Sequence, residues 1–291
     1  MVPLNTAAAG GAEAQTAGAP GAEREDMEHD LFTQDTDRSF AVISDIHSNL
    51  PALRAVVEDI ERQKADGIIC LGDIVGYGPE PEACTRIIRE TAKLCVMGNH
   101  DYIMLYYPAG ITRVAKEAAI WTKKKMTPRF YNFFLKTANW RFLKSLPRET
   151  ECGEWLFVHG SPRDPLSEYV HMENQDFREN TGLLKDLFSG FSRICMVGHT
   201  HIPGALDSDF TFFRPDESSP VFQPAERKKA LINVGSVGQP RDGDPRACYV
   251  LASQNRFEFR RVTYDIESTA EKIRKTPALD NRLADRLYAG K

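Results

Sequence analysis

Two histidines separated by one threonine follow an apolar run in the stretch CMVGHTHI, which begins at Cys195. In an extended strand, side chains two residues apart point to the same face, so His199 and His201 could address one metal site or two adjacent ones. Neutral imidazole is also an ordinary hydrogen-bonding group, and a pair of loop histidines is therefore the alternative for this motif alone.

Four other apolar runs end in metal-ligand residue types: Asp45 and His47 in SDIHSN, Asp73 in GDIVGYGP, Asn99 and His100 in GNHD, and His159 in VHG. Imidazole, carboxylate and amide ligands without thiolates suit two divalent ions, and one carboxylate can bridge the two. Paired ions activate water and hold the oxygens of a displacement at phosphorus. The residue types therefore predict phosphoester hydrolysis.

The elements around these residues alternate between strands and helices. The runs SFAVISD, GIICLGD and KLCVMGNHD are each followed by a helical pattern, and the second helix is predicted over about 81–91. This alternation indicates parallel strands with right-handed crossovers. Because sites in open α/β sheets lie at the carboxyl ends of strands, the candidate ligands are expected to converge.

The later part of the chain departs from this alternation of strands and helices. A long helical insertion rich in lysine and aromatics spans about 111–146, and a hairpin turns near Cys152 and Gly153. A helix is predicted over about 174–188, a second hairpin pairs RACYVLAS with RFEFRRV, and two helices end the chain.

Composition limits the class of protein. The net charge of −4 argues against a generally basic nucleic-acid binder, and six cysteines without a C-x-x-C pair are typical of reduced thiols in a cytoplasmic protein. No stretch is long and apolar enough for a membrane span. We predict a disordered Ala/Gly/acidic tail over 1–37 and a single domain over 38–291, including a helical insertion over 102–147.

The series D-x-H, GD, GNHD, VHG and GHTH resembles the calcineurin-like metallophosphoesterase superfamily over about 39–252. The resemblance implies a four-layer α/β/β/α sandwich of two mixed sheets with a helical cap insertion. It also implies two divalent ions, with manganese as the first choice and iron, nickel, cobalt or zinc as alternatives. The implied ligands are Asp45, His47 and His201 for one ion, Asp73 as the bridge, and Asn99, His159 and His199 for the other.

The resemblance assigns His100 to catalysis, as the group that stabilises the transition state or protonates the leaving oxygen. Asp101 has two possible roles. It could orient and charge His100, or it could be a carboxylate favoured by the dipole at a helix N-terminus.

The sequence departs from the protein phosphatases of this superfamily, which carry GD-x-V-D-R-G and GNHE. Here Tyr77 stands near the place of their phosphate-binding arginine, which favours the prokaryotic phosphodiesterase-like branch. Arg163 in HGSPRDPLSEY and Arg241 in NVGSVGQPRDGDPR are the candidate replacements. The alternative is that these arginines pair with Asp164 and Asp242.

The insertion is strongly basic. Between Arg113 and Arg148 there are ten Lys or Arg and one acid, Glu117, among seven Trp, Phe or Tyr. We expect this segment beside or over the metals, where it could attract anionic substrates, stack on a nucleobase or supply a homo-oligomer interface. The alternative is a pair of amphipathic helices with solvated lysines.

The favoured function is hydrolysis of a small, nucleotide-like phosphodiester or phosphomonoester. Alternatives are dinucleoside polyphosphatase, Ser/Thr protein phosphatase or nuclease activity, or a metal-binding scaffold without turnover.

Overall fold

The computed structural model describes residues 38–106, 112–128 and 133–291. The predicted tail over 1–37 lies outside these ranges. In chain order, the strands are β1 (Phe40–Ile43), β2 (Gly67–Cys70), β3 (Ala92–Cys95), β4 (Glu149–Cys152), β5 (Trp155–Val158), β6 (Ile194–Val197), β7 (Gly204–Asp207), β8 (Phe212–Phe213), β9 (Val221–Phe222), β10 (Ala230–Asn233), β11 (Ala247–Ser253) and β12 (Arg256–Val262).

The helices connect or flank these strands. They are α1 (Leu50–Gln63), α2 (Pro81–Thr91), α3 (Asn99–Tyr106), α4 (Arg113–Met126), α5 (Phe133–Ser145), α6 (Gln175–Glu179), α7 (Thr181–Ser189), α8 (Ile266–Arg274) and α9 (Arg282–Ala289). Within the described residues, no helix combines the length and the apolar character needed to cross a bilayer.

The strands form two mixed sheets. The first has the order β3-β2-β1-β11-β12-β9, and the second has the order β4-β5-β6-β10-β7-β8. The pairs β1–β2 and β2–β3 are parallel, as the alternating pattern predicts, whereas β11 runs antiparallel to β1. In the second sheet, β6 lies parallel to both β5 and β10. The predicted α/β class with two mixed sheets is confirmed.

The layers follow from alternation along the strands. In β1, Phe40 and Val42 face a core between the two sheets, whereas Ala41 and Ile43 face α1 and α2. In β6, Ile194 and Met196 share the inter-sheet core, and the alternate residues pack with α7. Because successive side chains point to opposite faces, each sheet buries both surfaces, and helices cover the two outer faces.

One predicted helix is two helices. The sequence predicts one helix over about 174–188, but the structure ends α6 at Glu179 and begins α7 at Thr181. The side chain of Asn180 accepts a hydrogen bond from the backbone N–H of Leu183 at 3.1 Å and therefore caps α7. A local cap interrupts a pattern whose apolar spacing alone is continuous.

The insertion helices pack on the helical layer of the first sheet. Lys136 of α5 is buried and pairs with Glu82 of α2 at 2.9 Å, and Asn139 accepts a hydrogen bond from Arg89 at 2.9 Å. The neighbouring α4 packs against α8 and α9, and its Trp121 lies in the same apolar cluster as Tyr77. The insertion therefore approaches the predicted site from the side that carries Tyr77.

Asp59 of α1 is a buried carboxylate that ties the outer helix to the first sheet. It accepts hydrogen bonds from the Tyr249 hydroxyl at 2.8 Å and from Arg260 Nε at 2.9 Å. Burial alone would raise the pKa of Asp59, but the bonds from Arg260 and Tyr249 hold this pKa below its usual value.

We predict that Asp59→Asn lowers the free energy of unfolding by about 1–3 kcal/mol near pH 7, because it leaves buried donors poorly matched. A carboxylate with a lowered pKa contributes stability above the unfolded-state pKa of about 4, and this contribution is lost as the pH falls through the folded-state pKa. Urea unfolding at several pH values should show the difference from wild type shrinking below about pH 4. Glu61→Gln, at an exposed position of the same helix, is the control. A difference that is independent of pH would contradict the assigned role of Asp59.

Candidate metal centre

The candidate ligands lie in short loops that directly follow strands, and most of them have an unusual backbone conformation. Positive φ angles are rare for residues other than glycine, and they concentrate where a site demands a strained backbone. The candidate ligands with a left-handed backbone conformation are Asp45 (φ 53°), His47 (φ 48°), Asp73 (φ 52°), His199 (φ 65°) and His201 (φ 63°). The loops therefore turn each of these side chains away from the direction that a continuing strand would give it.

The first group of ligand atoms consists of Asp45, His47 and His201, all buried. The Nε2 atom of His201 lies 3.2 Å from Asp45 Oδ1 and 3.1 Å from His47 Nε2. The other ring nitrogen, Nδ1 of His201, is 2.5 Å from the carbonyl oxygen of Gln239. A proton on Nδ1 leaves Nε2 with its lone pair toward the group, which is the arrangement that a metal ligand needs.

The second group consists of Asp73, His159 and His199, with Asn99 beside it. His159 Nε2 lies 3.4 Å from Asp73 Oδ2, 3.0 Å from Asn99 Oδ1 and 3.2 Å from His199 Nδ1. The outward nitrogens face backbone carbonyls: His159 Nδ1 is 2.9 Å from Leu71 O, and His199 Nε2 is 3.1 Å from Ser167 O. These contacts fix both rings with one nitrogen toward the group.

Each aspartate uses one oxygen for the fold and leaves the other without a donor. Asp45 Oδ2 accepts the backbone N–H of His199 at 3.0 Å, and Asp73 Oδ1 accepts that of His100 at 2.7 Å. In the part of the chain that the structure describes, Asp45 Oδ1 and Asp73 Oδ2 are buried and find no hydrogen-bond partner. Because buried polar atoms are nearly always satisfied, two such oxygens beside imidazole nitrogens fit divalent cations.

Asp73 lies between the two groups. Its Oδ2 atom is 3.4 Å from His159 Nε2 in one group and 3.6 Å from His47 Nε2 in the other. One carboxylate therefore faces ligand atoms of both groups, as a bridging ligand requires. Asn99, which the resemblance adds to the second group, lies beside His159.

The charges of the site also fit cations. Burial opposes ionisation of Asp73, but the charges of His159 and His100 outweigh it and hold the pKa of Asp73 well below its usual range. Burial opposes the charged form of His159 as well, but the charge of Asp73 raises the pKa of His159 to about 9, so that a cation bound there would displace a proton from this ring. Burial lowers the pKa of His199 to about 3, so this imidazole is neutral, the form that binds metals.

His100 and Tyr77 lie next to the first group without belonging to it. The His100 ring centroid is 4.3 Å from that of Tyr77 and 5.0 Å from that of His47. Burial lowers the pKa of His100 to about 4, against the opposing charge of Asp73. A buried neutral imidazole beside the ligands is available for hydrogen bonding to a substrate.

The buried carboxylate of Asp101 binds backbone N–H groups of two neighbouring loops. Its oxygens accept hydrogen bonds from the N–H groups of Val75 and Gly98, both at 3.1 Å, and from that of Ile74 at 3.4 Å. A carboxylate in the first turn of α3 that reaches back to Gly98 is the reciprocal part of a capping box. Burial and the charge of Asp73 raise the pKa of Asp101 to about 7. These contacts favour the helix-terminal role of the two considered, and the catalytic role of Asp101 stays a prediction.

The two candidate phosphate-binding arginines differ in their surroundings. Arg163 pairs with Glu168 and also with Asp186 of α7, at 2.9 Å, so its guanidinium already has two carboxylate partners. Its partners are not Asp164, which instead accepts backbone N–H groups within the loop. The engaged guanidinium speaks against Arg163 as a phosphate ligand.

Arg241 is near the ligand loops. Its backbone N–H donates to the carbonyl of His201 at 3.2 Å, and its guanidinium donates to Gln239 Oε1 at 3.0 Å. The buried Nε atom has no partner within the described ranges. Asp242, the alternative partner expected from the sequence, pairs with Arg261 instead. Arg241 therefore keeps donor capacity beside the candidate site.

Sequence reasoning did not identify three parts of the site. The carbonyl oxygens of Ser167 and Gln239 orient two histidines, and the Tyr169 ring stacks on His199 with a centroid distance of 3.8 Å. Carbonyls are present in every residue and give no signal in a sequence. Tyr169 follows the HGSPRDPLSE stretch, and its position in that quoted loop was the only available signal.

Gly198 allows the loop of His199 to approach Asp45. A Cβ atom at Gly198 would lie 2.1 Å from Ser44 Oγ and 2.6 Å from Asp45 Oδ2. Real Cβ atoms do not come this close to other heavy atoms, so a side chain here must displace the carboxylate or the loop.

We predict that Gly198→Ala reduces bound metal well below the wild-type stoichiometry because it displaces Asp45. The measurement is metal content by mass spectrometry after loading with Mn²⁺ and desalting. Gly182→Ala is the matched control. Gly182 lies in α7, and a Cβ atom there would contact Asn180 Oδ1 at 3.7 Å, an ordinary van der Waals distance. The control should keep its metal and be stabilised by up to about 1 kcal/mol. Wild-type metal content in Gly198→Ala would refute this account of the loop.

Comparison with known proteins gives consistent matches. The family model for calcineurin-like phosphoesterases matches residues 38–205. An uncharacterized protein of Methanocaldococcus jannaschii, MJ0912, is 38% identical over 265 residues, which cover 86% of this chain and 98% of that protein. The crystal structure of a metallophosphoesterase from Sphaerobacter thermophilus has 36% identity and a TM-score of 0.74 and covers 87% of this chain and 99% of that chain. Hypothetical protein PH1004 from Pyrococcus horikoshii has 20% identity and a TM-score of 0.64, with coverage of 87% and 98%, and supports the fold alone.

Proposed function

Because the chain belongs to the calcineurin-like phosphoesterase family, we propose that it hydrolyses a small, nucleotide-like phosphodiester or phosphomonoester. The observation that carries this proposal is the pair of buried ligand groups, within each of which the ligand atoms lie within 4.8 Å of one another. Asp73 lies between the two groups, and each group contains a carboxylate oxygen that lacks a donor among the described residues.

Asp45, His47 and His201 would hold one divalent cation, and Asn99, His159 and His199 the other, with Asp73 shared. Cations held there would supply Lewis-acid activation of water and of the phosphoryl oxygens. The mixed nitrogen and oxygen ligands suit manganese, our first choice, as well as iron, nickel, cobalt and zinc.

The other side chains of the site would act on the substrate directly. His100 would donate a hydrogen bond or a proton to the leaving oxygen; its ring lies beside His47, which supports this role. Arg241 would bind a phosphate oxygen through its guanidinium, whose buried Nε has no partner among the described residues. Tyr77 would support His100, because the two rings are in contact.

The shared carboxylate gives the sharpest test. We predict that Asp73→Asn loses metal and hydrolysis of bis-p-nitrophenyl phosphate together, because an amide brings one neutral oxygen where a charged carboxylate faces both groups. Metal content and the rate with Mn²⁺ should be measured on the same preparations. Full activity in Asp73→Asn would overturn the two-cation proposal, whereas a wild-type protein that binds metal without turnover would indicate a scaffold.

Replacement of His100 separates catalysis from metal binding. We predict that His100→Ala keeps its metal and loses about 10²–10⁴-fold in kcat, the range typical of a lost general acid. Metal analysis and steady-state kinetics with the same substrate provide the measurement. A substrate with a better leaving group should restore part of the rate, because it needs less protonation. Unchanged kcat would remove His100 from the reaction.

A further inference from the structure

A short segment without regular secondary structure follows the loop that contains Arg163 and ends in a turn at Met172 and Glu173. In residues 169–173, Val170 and Met172 are each 2% exposed and pack in the apolar cluster around α7. The Met172 N–H donates to the Val170 carbonyl at 3.0 Å and closes a tight turn around His171, and the Tyr169 and His171 rings lie face to face outside the cluster. The buried neighbours and the turn therefore hold these two rings outside the hydrophobic core.

The rings form a series that begins at a candidate metal ligand. Tyr169 stacks on His199 with a centroid distance of 3.8 Å and an interplanar angle of 24°. His171 stacks on Tyr169 at 5.5 Å and is almost parallel to it, at 7°. Whereas His199 is 4% exposed, Tyr169 is 47% exposed, so the series leads from the buried ligands to the surface.

Polar groups lie beside both exposed rings. The Nδ1 atom of His171 lies 2.9 Å from a carboxylate oxygen of Glu173, and the side chain of His171 is 47% exposed. Burial raises the pKa of Tyr169, and the nearby charge of Arg241 opposes this shift. A guanidinium that can bind phosphate therefore lies at one end of a fixed, solvent-exposed aromatic surface.

The described aromatic residues of the insertion are mainly used for packing. Trp121 packs in a cluster with Tyr77, and Trp140 and Phe142 pack against the core around α1 and α2. Phe134 is exposed, at 89%. Among these four residues, Phe134 is the exposed ring, whereas Tyr169 and His171 are two parallel rings next to the candidate ligands.

We propose that the outward face of the His171 ring, backed by Tyr169, forms a stacking subsite for a nucleobase, and that the substrate is accordingly a nucleotide or a nucleotide ester. This inference rests on the proposed function, because it places the phosphate at the ligand groups and the base on the His171 ring. A nucleotide carries its base beyond the sugar from its phosphate, and the stacked rings likewise lead from the ligand groups to the surface. Stacking on aromatic rings also tolerates different bases.

The test is a binding experiment that does not depend on turnover. Calorimetry on the metal-loaded full chain should compare a non-hydrolysable phosphonate analogue of AMP with the corresponding analogue of ribose 5-phosphate. We expect the base to increase affinity about tenfold in the wild type, since stacking of one base is typically worth this much. His171→Ala should abolish most of that preference without loss of metal, and Tyr169→Phe should retain it because the ring remains.

Phe134→Ala is the matched control, since it removes an exposed ring of the insertion and should leave the preference unchanged. The subsite is refuted if the wild type shows no preference, if His171→Ala keeps it fully, or if Phe134→Ala abolishes it. The two proposals fail separately. A retained base preference in a protein without hydrolytic activity would preserve the subsite and reject the hydrolase.

Discussion

The site depends on the two aspartates that each bind the backbone of another ligand loop. Asp45 accepts the N–H of His199, and Asp73 accepts that of His100, so that loops from distant parts of the chain are joined through the carboxylates themselves. The same bonds leave one oxygen of each carboxylate facing the imidazoles. Structure and ligand chemistry are therefore coupled, because a shift of either carboxylate would release a loop as well as a ligand.

The sandwich supplies the conditions for this coupling. Parallel strands β1 and β2 end at one edge of the first sheet, and β5 and β6 end at an edge of the second. Close contact between the loops requires glycines, since a side chain at Gly198 would meet Asp45 and one at Gly98 would lie 2.2 Å from Asp73 Oδ1. The insertion packs on the helices of the first sheet. It contacts α2 through Lys136, and its helix α4 packs against α8 and α9 in the cluster that includes Tyr77.

Much of this arrangement can be predicted from the sequence, because strand periodicity and ligand residue types are local signals. The fold class is confirmed, and the structure brings the seven predicted ligands together, although their roles as ligands stay predictions. The break at Asn180 was missed because a capping side chain overrides continuous apolar spacing. The alternative of a carboxylate-paired Arg163 was open from the sequence, but the partner Asp186 lies 23 residues away, where no local pattern indicates a contact.

The left-handed backbone of five ligands has a consequence for how this chain can change. Each of these positions has a backbone conformation that is unfavourable for residues other than glycine, so under the proposed function conformational stability and metal affinity would oppose each other at the same residues. Substitution by glycine at such a position relieves the backbone but removes the donor. Under the proposed function, a chain that no longer carried out the reaction could therefore gain stability through such substitutions.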